Sequence, residues 1–151
     1  MNKKHIIFFA SCVLVFVGAV FYNYFVAQKK IKDTKESPLT ITLQTFPEIV
    51  SAGNSGTFIW NIDGSPDLKT TRTTIYWGFQ ASPSALTKED SPEAVGYPYS
   101  QEDYQNGNFS LPDTFDQSII FENPRKVYFR AYAKVGKDHL WTEEKSLIIN
   151  K

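Results

Sequence analysis

From Lys126 to Val135 the chain alternates without a break. Val127, Phe129, Ala131 and Ala133 fall on one side, and Tyr128, Arg130, Tyr132 and Lys134 on the other. A period of two marks an extended strand with one buried face, because successive Cβ atoms leave opposite sides of the pleat. A strand needs partners for its edges, so the rest of the chain must supply a sheet. Leu39, Ile41 and Leu43 alternate with Thr40, Thr42 and Gln44. Phe58, Trp60 and Ile62 share one face of a stretch over 57–62, and Thr73, Ile75, Trp77 and Phe79 one face of a stretch over 71–79. Ser118–Glu122 reads as a short strand, and His139–Ile149 as a last strand whose parity changes across Glu143-Glu144, as at a bulge. Gly136-Lys137-Asp138 joins the two final strands into a hairpin. Ala52 to Gly56, Asp63 to Asp67 and Asn123 to Arg125 carry turn chemistry, and Pro47 interrupts the ladder pattern. Helix is expected only as one turn near Pro83–Leu86. The predicted fold class is all-β, an antiparallel sandwich with a core of Phe58, Trp60, Ile75, Trp77, Val127, Phe129, Ala131 and Ala133.

The N-terminal quarter differs in kind. After a short tail at 1–5, the stretch Ile6–Ala27 contains no charged residue. As a helix it reaches ~33 Å, enough for a hydrocarbon core of ~30 Å. It predicts a transmembrane signal-anchor helix over 6–27, followed by a lysine-rich tether over 28–38 and the β domain over 39–150. A cleaved signal peptide is the alternative, with Val17-Gly18-Ala19 as cleavage chemistry, but the apolar run continues well beyond it. Lysines 3 and 4 precede the run, and lysines 29, 30, 32 and 35 follow it. That count alone favours a cytoplasmic domain. The resemblance of the start to a secretory n-region, and the fold, set the expectation the other way: a single-pass protein of the cell membrane with an extracytoplasmic domain.

Three segments resemble the fibronectin type III domain and its immunoglobulin-like relatives. Gly56-Thr57-Phe58-Ile59-Trp60 is similar to that family's second strand, where a tryptophan fills the core. Val127 to Ala133 is similar to its sixth strand, and Gly136 to Ile149 to its closing loop and last strand. Val127 stands where the family places its corner tyrosine. The resemblance implies an immunoglobulin-like sandwich in a binding, spacing or adhesion role.

Chemistry is sparse. One histidine, His139, and no cysteine fall within the β domain, which excludes a two-histidine zinc site or a histidine triad built from it alone. Asp63-Gly64-Ser65-Pro66-Asp67 lacks the glycine and the glutamate of a calcium loop. No metal, cofactor or catalytic residue is expected. Residues 39–150 are mildly acidic, which argues against nucleic acid as a partner. The segment 80–117 is too long for a sandwich connection. It holds seven acids against Lys88 alone. Ordering it calls for a counterweight: Arg72, Arg125 or Arg130, a bound cation, or a basic partner. It also concentrates Tyr97, Tyr99, Tyr104 and Phe109 beside Glu102 and Asp103, residue types favoured at binding hot spots. Asn106-Gly107 suits a type I′ turn that would present Tyr104 and Phe109. If this surface binds, the three tyrosines lie exposed and close together. The sequence thus points to a membrane-anchored, non-enzymatic module for binding, adhesion or envelope assembly, whose partner is another protein or a cell-surface component. A spacer domain without a ligand, and a small hydrolase using carboxylates of the acidic segment, are the alternatives.

Overall fold

The computed structural model describes residues 18–24, 38–82 and 84–151. The chain divides into two compact units, Met1–Glu36 and Ser37–Lys151. In the first, residues 18–24 are helical and exposed. Among the described residues no helix is long and apolar enough to cross a membrane. The rest of the run expected to form the anchor, and all of the tether but Pro38, lie outside the described residues.

In the second unit the strands are β1 (Thr40–Thr45), β2 (Ile49–Ser51), β3 (Ser55–Asp63), β4 (Lys69–Gly78), β5 (Tyr99–Ser100), β6 (Phe109–Ser110), β7 (Asp113–Ile120), β8 (Lys126–Val135), β9 (Asp138–Trp141) and β10 (Lys145–Asn150). One sheet has the order β1-β3-β7 and the other β2-β10-β8-β4-β5, with β6 on the start of β4 and β9 on β8. Every pairing is antiparallel except that of β2 with β10. At Phe46-Pro47 the chain leaves the first sheet and enters the second as β2, an edge strand that the alternation pattern does not reveal. Proline has no N–H to continue the first ladder. The result is an immunoglobulin-like β-sandwich.

The inward faces build one core. Phe58, Trp60 and Ile62 of β3 and Phe115 and Ile119 of β7 meet Ile75 of β4, Val127, Phe129, Ala131 and Ala133 of β8, and Leu147 and Ile149 of β10. Trp60 lies nearly parallel to Phe115, with centroids 6.0 Å apart, and Phe58 meets Phe129 edge-on at 4.9 Å. The indole N–H of Trp60 donates to Thr73 Oγ1 at 2.7 Å, and that hydroxyl donates to the Tyr132 carbonyl at 2.7 Å. The one polar group of the largest core side chain is therefore satisfied without water. Trp77 is half-buried at the margin. The hairpin between β8 and β9 turns on Gly136 at φ 59, the position a type II′ turn gives to glycine.

Four expectations need correction. The strand placed at Ser118–Glu122 begins at Asp113. Its pattern is masked because Gln117 occupies an inward position. There Gln117 Oε1 accepts from the Ile75 N–H at 3.1 Å and Thr74 Oγ1 at 3.2 Å, and Nε2 donates to Asp103 at 3.0 Å. The middle of β8 is buried on both faces, not one: Arg130 is 3% and Tyr132 1% exposed. Tyr132 joins Tyr76 and Tyr97 in a second apolar cluster with Val95 and Trp141, on the outer face of the larger sheet. The helical turn is Pro92–Val95, not near Pro83–Leu86. Pro92 opens it, and Gly96 at φ 82 closes it by donating to the Pro92 carbonyl. Finally, Asn106-Gly107 is no type I′ turn, since Gly107 does not have a positive φ. Its N–H donates to the Thr71 carbonyl at 3.0 Å, and the Phe109 ring lies where a Cβ would stand.

The expected bulge in the closing strand is a break at 142–144 between β9 and β10. Thr142 bridges it: its hydroxyl accepts the Ala131 N–H at 2.9 Å and its own N–H donates to the Ala131 carbonyl at 3.0 Å.

Candidate functional site

The six residues singled out between 97 and 109 do not share a surface. Tyr97 is buried against the outer sheet face. Its hydroxyl donates to Glu144 Oε2 and accepts from Arg130 Nε at 3.3 Å. Burial first, and then the hydrogen bond to Glu144, push its ionisation well above that of a free tyrosine. Tyr104 and Phe109 are half-buried plugs at the open flank of the core, both edge-on to Phe115 at 5.4 Å. The Tyr104 hydroxyl donates to the Asp116 carbonyl at 3.1 Å. Desolvation, and then Asp116 and Asp103, raise its pKa. Asp103 is held by Gln117, while Glu102 is exposed. Tyr99 alone of the three tyrosines is well exposed, at 44%. The exposed tyrosine cluster expected of a binding surface is therefore absent, because Tyr97 and Tyr104 pin the segment to the sandwich.

The acids of this segment are not balanced as expected either. None of Arg72, Arg125 and Arg130 forms an ion pair with a carboxylate among the described residues; Lys88 pairs with Asp138 at 2.7 Å instead. Arg130 binds backbone. Its Nη2 donates to the carbonyls of Ser82 at 2.7 Å and Ser84 at 3.0 Å, and Nη1 to that of Thr142 at 2.8 Å. A buried guanidinium is tolerable only when its N–H groups are bonded, and here they clamp the start of the covering segment to the sheet. Glu144 completes the clamp by accepting the Ser82 N–H at 2.7 Å. Asp90 caps its own loop through the Thr87 N–H and hydroxyl, which lower its pKa.

Tyr99 belongs to a different surface. With Trp77, Phe79, Ile120, Phe121 and Arg125 it lines a groove of about 360 Å³. Phe79 is 39% and Ile120 64% exposed. Tyr99 stacks on Trp77 at 5.9 Å, and the Arg125 guanidinium lies 4.2 Å from the centre of the Phe79 ring. The groove sits at the pole where β4, β7 and β10 end and β8 begins. The domain is entered at the other pole, where Thr40 pairs with Asp63. Tyrosine, tryptophan and arginine around exposed aliphatic carbon form the composition of an interface centre. The sequence signal was faint: Ile120 is an apolar residue at an outward position next to inward Ile119, and Phe79 follows the end of β4.

No group of three or more histidine, cysteine, aspartate or glutamate side chains able to hold a metal occurs among the described residues. Glu48 and Glu144 line one cavity, but both lie outside 80–117 and Glu144 is engaged by Tyr97 and Ser82. No family model and no curated protein matches the chain. Among solved structures it is similar to the PKD domain of an M14-like peptidase from Thermoplasmatales archaeon SCGC AB-540-F20, at 14% identity and a TM-score of 0.49 over 76% of this chain and 97% of that one.

Proposed function

We propose that this protein is a non-enzymatic binding module, tethered to the cell membrane through Ile6–Ala27 with its domain outside the cytoplasm, that docks a partner protein in the groove around Tyr99. The groove carries the reading. Phe79, Tyr99 and Ile120 present apolar surface that the fold itself leaves uncovered, at the pole away from chain entry. Apolar patches of this kind on a soluble face mark interaction sites. The division of strands into β1-β3-β7 and β10-β8-β4-β5 supports kinship with fibronectin type III domains, with Val127 in place of the corner tyrosine.

The test is a double substitution, Phe79→Ser with Ile120→Ser, in the full-length chain. Both side chains are exposed, so the folded domain should survive, with unchanged thermal melting. Proteins co-isolated from detergent-solubilised membranes with the parent chain should be depleted from the variant. An identical set of co-isolated proteins would remove the groove from the function and leave a spacer domain.

A further inference from the structure

A second apolar patch lies on the outer face of the larger sheet, at its β2 edge. Ile148 of β10 pairs with Ile49 of β2 on one side and with Lys126 of β8 on the other, so the three form one row across the sheet. Ile49 is 60% and Ile148 50% exposed. With half-buried Tyr128 they line an open hollow of about 550 Å³. Opposite charges flank this row. Glu48 precedes Ile49 on the edge side, and Lys126 ends the row on β8. Both are exposed, and neither forms an ion pair among the described residues. The neighbouring charges are engaged: Lys145 faces Glu143 at 3.5 Å, and Glu144 accepts from Tyr97 and Ser82. The Lys126 ammonium lies 5.0 Å from the centre of the Tyr128 ring, which steadies it without neutralising it. Glu48 and Lys126 stand two strands apart, roughly 10 Å, too far to pair within one chain.

An unpaired acid on one side of an apolar row and an unpaired base on the other make a self-complementary pattern. A partner surface of one sign would satisfy one charge and repel the other. A second copy of the chain satisfies both. Turned by a two-fold axis that runs along β10, it lays its own β8 over the first copy's β2. Ile148 then meets Ile148, and Glu48 of each copy meets Lys126 of the other. We infer that this face is the interface of a symmetric homodimer, packed sheet on sheet through Ile49, Tyr128 and Ile148 and set in register by two reciprocal Glu48–Lys126 ion pairs. Pairing edge to edge is not the route, because β2 has only three residues and Pro47 before it has no N–H. The direction of the axis suits the way the chain enters. β10 runs towards the groove pole, so an axis along it keeps both Thr40 ends at the opposite pole. Two chains tethered in one membrane need that arrangement. This inference is independent of the partner groove, and either can fail alone.

The test is sedimentation equilibrium of the full-length chain in a density-matched detergent, combined with charge reversal. The patch is small, so the parent chain should dimerise with a dissociation constant of roughly micromolar size. Glu48→Lys alone and Lys126→Glu alone each set like charges opposite one another twice, and each should weaken the dimer at least about ten-fold. The two reversals together restore the pairs with their signs exchanged and should return the constant to within about three-fold of the parent. Ile148→Asp should leave a monomer. All three side chains are exposed, so thermal melting should stay unchanged and separate lost association from lost folding. A monomeric parent chain, a dimer indifferent to the single reversals, or a double variant as weak as the singles would overturn the inference. So would a different protein that co-isolates with the parent chain and is lost with Ile148→Asp while the purified parent stays monomeric.

Discussion

Trp60, Gln117 and Arg130 show how much of this domain depends on single buried polar contacts. Trp60 is fully buried and its N–H is bound by Thr73, so Trp60→Ala removes both a large volume and a satisfied donor. It should cost about 3–5 kcal/mol in a denaturant titration; a loss under about 1 kcal/mol would mean that Trp60 is not in the core. Gln117 links the two sheets at their open flank by accepting the Ile75 N–H of β4. Gln117→Leu preserves volume but strands that N–H and should cost about 1–3 kcal/mol, more than an apolar position of the same size would suggest. Tyr97 and Tyr132 add a dependence on pH. Burial raises both above the ordinary value of 10.0, so the folded state favours the neutral phenol. The stabilisation is complete below that ordinary value and is lost as pH rises through it towards the higher folded-state values. Melting temperature should therefore fall as pH rises beyond about 10, and Tyr132→Phe should flatten part of that fall. An equally steep fall in the variant would assign the effect elsewhere.

At the scale of elements, the two faces of β8 set the problem. Its alternation separates Phe129 from Tyr132, and a strand with one wet face would make Tyr132→Ala the milder change. Residues 84–98 cover that face, so Tyr132→Ala should be comparable with Phe129→Ala, each costing about 3–5 kcal/mol. A Tyr132 variant within about 1 kcal/mol of the parent would show the cover to be loosely held. This contrast also marks what the sequence reveals. Strands β1, β3, β4 and β8 declare themselves because an inward face, dry in β3, β4 and β8 and half-buried in β1, imposes a period of two; of the eight expected core residues Trp77 alone stands half-buried at the margin. Strand β2 is too short for a period, and Gln117 hides the start of β7. The cover is illegible for a different reason. It is held by Arg130 on backbone carbonyls and by Tyr97 on Glu144, contacts between residues far apart in sequence that no local pattern encodes. Without them its tyrosines and acids resemble an exposed binding loop.

At the scale of the molecule, the sandwich separates three tasks. The inter-sheet core stabilises it, the 80–117 segment covers one outer face and one flank, and the groove around Tyr99 is left open at the pole opposite chain entry. The tethering half of the account predicts that the full-length chain sediments with membranes and resists carbonate extraction. Protease added to spheroplasts should remove the domain; full protection would place it in the cytoplasm. The docking half is tested most directly by site-specific photo-crosslinking in intact cells. A photoreactive residue at Tyr99, in the groove, is compared with one at Leu68, 36% exposed near the entry pole. The account predicts a discrete crosslinked protein from position 99 and none from position 68. No adduct from position 99, or the same adducts from both positions, would contradict it.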